Sequence, residues 1–254
     1  VTLDLTIVGS ASAEPNPGGA SSCYLLDAGE GQLVLECGHG AAAKLLLHTS
    51  IDRIKAILIS HMHPDHFFDI VPLKYYITFN GLPRLPLYVP PTGPAILEGM
   101  IRALDEKDEF WGSAYDIRVF DPDQELCLLG MRIRMAPTHH FIPAWAMRFS
   151  SLNGTASGAI GYTSDTSVVE PVVELVRGTD VLLAECSVVT QAKSERDQGH
   201  LTPEQAAELA RRAHARRLLL THYPSAHADS MVRHAAQAFD GPCSLAVEGA
   251  TYRV

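Results

Sequence analysis

The sequence predicts an α/β domain in which two β-sheets pack face to face with helices on the outside. Three observations carry this expectation. Short apolar segments alternate with helix-period segments in each half of the 254-residue chain, as layered α/β folds require. No low-complexity linker interrupts the chain, so 1–254 reads as one domain. Five apolar segments run into residues of metal-ligating type: His61 onward, His140, Asp165, Glu185 and His222. Strand ends at one edge of a sheet converge in space, so these side chains are expected to meet.

Taken in order, 3–9 alternates apolar and polar residues and forms the first expected strand. Residues 10–22 are small, polar and rich in Gly and Pro, a loop that either lines a site or merely crosses the surface. Strands follow at 23–27 and 33–36, and 41–48 is helical. Residues 53–59 are β-branched and apolar, the mark of a buried parallel strand. A helix is expected over 67–79 and a short strand over 85–89. Thr92 caps a helix over 95–105, with Pro94 in its first turn.

Strands are expected at 115–120, 130–136, 145–150 and 159–163, with a hairpin around Asn153-Gly154. A helix over 168–177 is closed by Gly178. Residues 181–185 form a buried strand ending on Glu185. Thr202-Pro203-Glu204-Gln205 has the capping-box pattern and starts a helix to about 212. A buried strand over 217–221 ends on His222, and a helix over 229–239 and a strand over 244–247 close the chain.

The bulk numbers narrow the function. Hydrophobic residues make up 46% and charged residues 19%, which supplies a packed core and argues against disorder. No apolar run has the length of a membrane span, and the start, Val1-Thr2-Leu3-Asp4, does not read as a signal peptide. Five cysteines (Cys23, Cys37, Cys127, Cys186 and Cys243) are scattered, with no C-x-x-C. That favours reduced core thiols in a cytoplasmic protein. The formal charge of −9 argues against a broad nucleic-acid surface. A small anionic substrate remains compatible with it, because divalent ions would make a site locally positive.

The densest motif is His61-Met62-His63-Pro64-Asp65-His66. Alternation along the chain sends His61 and His63 to one side, where both can grip one ion. Asp65 and His66 fall on the turn into the next helix and are placed to hold a second. Imidazole with carboxylate suits zinc, manganese or iron rather than calcium. The bland alternative is a solvated histidine-rich turn. Other residues carry less. His48, His214, His227 and His234 read as solvated or capping residues. Arg211-Arg212 and Arg216-Arg217 read as a helix-end face. Phe67, Phe68, Tyr75, Tyr76 and Phe79 have the spacing of a core stripe. Trp145 either lines a site mouth or fills the sandwich.

Several segments together resemble the metallo-β-lactamase superfamily, and within it the ribonuclease Z-like phosphodiesterase branch. They are Gly9-Ser10-Ala11-Ser12-Ala13-Glu14-Pro15, Glu36-Cys37-Gly38-His39-Gly40 and Ser60-His61-Met62-His63-Pro64-Asp65-His66. The likeness continues through His140-Phe141-Ile142-Pro143, Tyr162-Thr163-Ser164-Asp165-Thr166, Ala184-Glu185-Cys186-Ser187, Gly199-His200-Leu201-Thr202 and Leu218-Leu219-Leu220-Thr221-His222. The resemblance implies an αββα sandwich of two mixed β-sheets flanked by helices, with a dinuclear site at one edge. His61, His63 and His140 would hold one divalent ion, Asp65, His66 and His222 the other, and Asp165 would bridge. His140 is chosen over His139 because it fits the family's His-x-x-Pro spacing. Asp4 matches an early aspartate that usually supports the site; a plain strand aspartate is the alternative. The two ions, zinc with manganese or iron as alternatives, would lower the pKa of a shared water to give hydroxide. Asp65 would orient that nucleophile. His200, polarised by Glu185, would protonate the leaving alkoxide; the alternative is a pair that only ties a loop to a strand.

Departures from the tRNA-processing members shape the expected substrate. Those enzymes read Gly where this chain has Pro64, Asp at Glu36 and Glu at His39. They also carry a long tRNA-gripping arm, whereas His140 and Asp165 lie only 25 positions apart here. The expected function is a metal-dependent phosphodiesterase acting on small or cyclic nucleotides or related phosphodiesters, with no membrane or large nucleic-acid partner. The alternatives are a carbonyl hydrolase (lactonase, thioesterase or β-lactamase-like), a tRNA 3′-processing endonuclease and an idle metal-binding protein. A homodimer is a family expectation.

Overall fold

Strands that must bury both faces determine the layering. The computed structural model describes residues 2–104, 106–107, 109–152, 158–189 and 199–254. The first half contains β1 (Asp4–Gly9), β2 (Cys23–Asp27), β3 (Gln32–Leu35), α1 (Ala41–His48), β4 (Ile54–Leu58), α2 (Pro64–Phe67), α3 (Ile70–Phe79), β5 (Leu85–Val89), α4 (Gly93–Ala103) and β6 (Tyr115–Val119). The second contains β7 (Leu126–Leu128), β8 (Met131–Pro137), β9 (Trp145–Ser151), β10 (Ala159–Tyr162), α5 (Glu170–Leu175), β11 (Val181–Glu185), α6 (Pro203–Arg212), β12 (Leu218–Thr221), α7 (Ala228–Ala235), β13 (Cys243–Leu245) and β14 (Thr251–Arg253).

Among the described residues these strands form two seven-stranded sheets, ordered β14-β1-β2-β3-β4-β5-β6 and β13-β12-β11-β10-β9-β8-β7. Both are mixed. The run from β14 to β3 is antiparallel and that from β3 to β6 parallel. In the partner sheet β10 to β13 are parallel and β7 to β10 antiparallel. Leu5, Leu33, Leu58, Phe149, Ile160 and Leu219 belong to the core between the sheets. Each such side chain taken out of water contributes about 1.5–3 kcal/mol. The opposite faces are covered by α1, α3 and α4 on one side and by α5, α6 and α7 on the other. This is the expected αββα sandwich.

The parallel strands deliver the site. β4, β10, β11 and β12 all run toward one edge, and the residues just beyond their ends lie there together. Below that edge the Tyr24 hydroxyl lies 2.7 Å from Thr221 Oγ1, linking the two sheets.

Several local expectations change. The helix expected over 67–79 breaks between Phe67 and Ile70. Asp69 is drawn away to serve another helix: its carboxylate accepts from Ala42 N at 2.8 Å, at the start of α1. Its own N–H donates to Cys37 O at 3.0 Å. Of the aromatic stripe, Phe67 is buried, but Phe68, Tyr76 and Phe79 are exposed. Thr92 precedes α4 without a capping bond from its hydroxyl. The Thr202–Gln205 capping box forms as expected, with Gln205 N to Thr202 Oγ1 at 3.3 Å and Thr202 N to Gln205 Oε1 at 3.0 Å. Edge strands β7 and β14 escaped the sequence reading, since three residues carry no readable period. The hairpin expected at Asn153-Gly154 lies outside the described residues. All five cysteines are free; Cys23, Cys37 and Cys186 are buried, Cys243 is half-buried and Cys127 is exposed. No helix among the described residues is long and apolar enough to cross a membrane.

Candidate metal centre

The site begins with the turn after β4. Pro64, in the first turn of α2, fixes the entry backbone. Asp65 and His66 then lie on α2 while His61 and His63 precede it. The turn is held from behind by the segment after β3. Cys37 N donates to His66 O at 2.7 Å. Gly38 is required here, because a Cβ would stand 1.9 Å from Asp65 O.

The facing sheet supplies single residues. His140 follows β8, Asp165 follows β10, Glu185 ends β11, His200 precedes α6 and His222 follows β12. Among the described residues, three sets each bring their donor atoms within 4.8 Å: His61, His63, His140 and Asp165; Asp65, His66 and His222; Asp165, His200 and His222. Asp165 is the hub. Its Oδ2 lies 3.8 Å from Nε2 of both His61 and His140, and its Oδ1 lies 3.5 Å from His66 Nε2 and 3.6 Å from His222 Nδ1. Asp65 Oδ2 lies 2.9 Å from His222 Nε2. Each of the seven residues expected as ligands falls in one or more of these sets.

The His61, His140 and His200 rings are each held through Nδ1 by a hydrogen bond. His140 Nδ1 donates to Gly199 O at 3.0 Å, which leaves the Nε2 lone pair for the site. His61 Nδ1 meets Ser60 Oγ at 3.0 Å and Ser164 Oγ at 3.3 Å, and the two hydroxyls are 2.8 Å apart. Glu36 is buried and accepts from Ser60 N at 3.1 Å, with Oε2 3.8 Å from His66 Nδ1. Glu185 accepts from His200 Nδ1 at 3.0 Å, Leu201 N at 2.9 Å, Ser187 N at 3.0 Å and Ser187 Oγ at 3.0 Å. With Nδ1 held this way, Nε2 is the nitrogen that His200 offers to the cavity.

Backbone strain marks the same place. Glu36, Ser164 and His222 have φ of 60°, 51° and 54° without being glycine. Each costs on the order of 1–3 kcal/mol, which packing elsewhere must offset.

The donor set fits a divalent ion. His61 Nε2, both ring nitrogens of His66, His222 Nδ1 and Asp165 Oδ1 are buried without a hydrogen-bond partner. Leaving such atoms unpaired costs roughly 1–3 kcal/mol each, and metal coordination would satisfy those that face the cluster, His66 Nδ1 facing Glu36 instead. Imidazole with carboxylate matches zinc, manganese or iron. Burial pushes the His61 and His63 rings below the ordinary imidazole value and takes His140 down to about 4. A lowered value favours the neutral ring that a ligand must present. Burial works against a charged His66, but the Asp165 and Asp65 carboxylates lift it well above the ordinary value. Burial likewise opposes charge on Asp65, yet His66 and His222 hold it below the usual carboxylate range. His200 is also desolvated, and Glu185 overcomes this and raises it to about 9.

Beside the donors lies a cavity of about 750 Å³, with Ser12, Glu14, Phe141 and His200 on its walls. Of the 10–22 loop, Ser12, Ala13 and Glu14 line this cavity. Asn16 fastens this loop beside His222, donating to Tyr223 O at 3.0 Å and accepting from Ser225 N at 2.7 Å. His139 faces away and meets Ser167 Oγ at 2.9 Å, so geometry selects His140. Trp145 packs with the inter-sheet core against Phe120, at 5.6 Å between centroids. Asp4 pairs with Arg253 at 2.8 and 2.9 Å. His234 pairs with Glu204, Arg212 with Glu170, and Arg216 with Asp180. The sequence reading missed the roles of Ser60, Ser164, Glu36 and Phe141.

Residues 23–223 match the family model described as "Beta-lactamase superfamily domain". The "Probable metallo-hydrolase YhfI" of Bacillus subtilis is 28% identical over 254 residues, covering 97% of this chain and 98% of the relative. The solved structure of YhfI superposes with a TM-score of 0.87 at 26% identity, covering both chains fully (100% each). The ribonuclease Z of Ignicoccus hospitalis is 25% identical over 278 residues, covering 91% of each chain. Yeast PDE1 shares the fold, with a TM-score of 0.75 at 15% identity and 99% of each chain covered.

Proposed function

The chain belongs to the metallo-β-lactamase superfamily, and from that premise we propose a phosphodiesterase acting on small or cyclic nucleotides or related phosphodiesters. The observation that carries the reading is the Glu185–His200 pair, 3.0 Å apart, standing over a donor set centred on Asp165. A phosphodiester leaves an alkoxide that needs a proton, and this pair supplies one. The ribonuclease Z relative supports phosphodiester chemistry. The acidic balance and the short span from His140 to Asp165 favour a small substrate over tRNA.

His61, His63 and His140 would hold one divalent ion and Asp65, His66 and His222 a second, with Asp165 shared. When bound, such ions polarise a phosphoryl oxygen and lower the pKa of water toward neutrality. Asp65 accepts a hydrogen bond from the attacking water and orients it toward phosphorus. His200 gives its Nε2 proton to the departing oxygen as the P–O bond breaks. Glu185 keeps Nδ1 protonated and the ring fixed through that transfer.

The test is hydrolysis of bis(p-nitrophenyl) phosphate, with metal content measured on the same sample and Asp65→Ala as control. Metal-dependent turnover that disappears in the variant is expected. Turnover of a lactone or thioester, but of no phosphodiester, would overturn the reading.

A further inference from the structure

Phe141 follows His140 directly and is 51% exposed, although it stands beside a cluster that includes the buried His61, Asp65, His66, Asp165 and His222. Its ring is 5.0 Å from that of His140 and 5.8 Å from that of His200, tilted at 56° and 57°. It therefore borders both a metal donor and the proposed acid. The ring is also firmly backed. A Cβ on Gly199 would come within 3.0 Å of Phe141 Cε2 and 3.2 Å of Cζ, so the bare Gly199 backbone lies against it. The same Gly199 offers its carbonyl to His140. A large apolar ring, wedged in place with half its surface open to a cavity, has aromatic area left to cover.

The cavity also shows what would not cover it. Among the described residues, no Lys or Arg lines the cavity, while Glu14, Asp65 and Asp165 do. One phosphate can be neutralised at the donor cluster; a second would face carboxylates. The cavity therefore suits a substrate whose group next to the phosphate is uncharged. In a nucleotide, one sugar ring separates the phosphate from a flat, neutral base. Phe141 stands one ring beyond the His140 donor.

We propose that Phe141 is the platform on which the nucleobase of the substrate stacks, with Gly199 fixing its pose; the assignment rests on the phosphodiesterase reading above. Every nucleobase has a π-face, so the platform sets preference for base-bearing over base-less diesters and discriminates weakly among bases.

The experiment uses zinc-loaded protein in wild-type, Phe141→Leu and Phe141→Tyr forms, matched for zinc content. The probe is adenosine 5′-monophosphate observed by proton NMR. Stacking shifts the H2 and H8 base signals upfield on binding. The shift is expected in wild type and Phe141→Tyr and is expected to vanish in Phe141→Leu, which keeps bulk without a π-face. In parallel, KM for 3′,5′-cyclic AMP should rise about ten- to a hundred-fold in Phe141→Leu, with kcat little changed. KM for the base-less glycerol 1,2-cyclic phosphate should rise far less than KM for cyclic AMP. An upfield shift that survives in Phe141→Leu, no shift in wild type, or equal losses on both diesters overturns the assignment. A Phe141-dependent shift with no diester turnover in wild type would leave the platform standing and remove the phosphodiesterase reading instead.

Discussion

The two sheets build their sides of the site by different means. The first sheet contributes four donors within six residues, His61 to His66, on one turn clamped by Cys37 and Gly38. The second contributes one donor at a time, from the ends of β8, β10 and β12. On the turn, local geometry sets the spacing. On the facing side, spacing depends on the register of parallel strands such as β11 and β12, paired Glu185 to Thr221. The turn is thus rigid and self-contained, while the facing side positions Asp165 where it can reach donors of both groups. A local motif can define a ligand set, but a shared ligand requires two separately built walls.

The largest effect should come from that shared position. Asp165→Ala removes the only carboxylate within 4 Å of His61, His66, His140 and His222 together among the described residues. Both ions should be lost on dialysis, with activity falling by more than the roughly 100-fold that supporting residues cost. Asp65→Ala leaves the His61, His63, His140 and Asp165 group whole and should retain one ion per chain. Equal metal content in the two variants, measured by elemental analysis, would break the comparison.

Next comes His200→Gln. It should lower kcat by roughly 10²- to 10⁴-fold with the metal content of wild type, as removal of a general acid does. His200 also lies within reach of Asp165 and His222. If the variant lost an ion, His200 would be a ligand and the acid assignment would fail.

A smaller effect is expected from Ser164→Ala. Ser164 steadies His61 from across the sandwich, with Ser60 as the second hydroxyl. Losing one of the two should weaken metal affinity by about ten-fold, the lower end of what such supports contribute. A chelator-competition titration reads it. An unchanged affinity would mean that the turn aims His61 without help from the facing sheet.

The contrast also explains what could be read from sequence. The αββα layering was legible because buried strands carry their own apolar signature, as β4 and β11 do. The turn was legible because its donors are contiguous. The facing donors were visible only as polar strand ends, and the choice of His140 over His139 came from the resemblance until geometry put His139 on Ser167. Ser60 and Ser164 were not legible as partners, because 104 positions separate them. The left-handed backbones of Glu36, Ser164 and His222 were hidden too, since no glycine or asparagine announces them. The broken helix at Asp69 had the same cause: a capping contact to α1 overrode the local helical period.

The two donor groups should also separate in their response to pH, by about ten-fold per pH unit for each displaced proton. Burial holds His61, His63 and His140 below the ordinary imidazole value, His140 at about 4. The lower a ring is held, the less often an ion must displace a proton from it, so affinity at this group should change less between pH 8 and pH 6 than affinity at the second group. His66 is shifted the other way: Asp165 and Asp65 outweigh its burial and raise it well above the ordinary value. Below that raised value the ring is protonated in the metal-free protein, and the ion must expel the proton. Affinity at the second group should therefore fall as pH falls across the same window. Zinc titrations at pH 8, 7 and 6 should show one equivalent that changes little and one that weakens stepwise. The pH-sensitive equivalent should be absent in Asp65→Ala. Two equivalents that weaken in parallel would mean that Asp165 ties both groups into one titrating unit, and the two walls would then act as one.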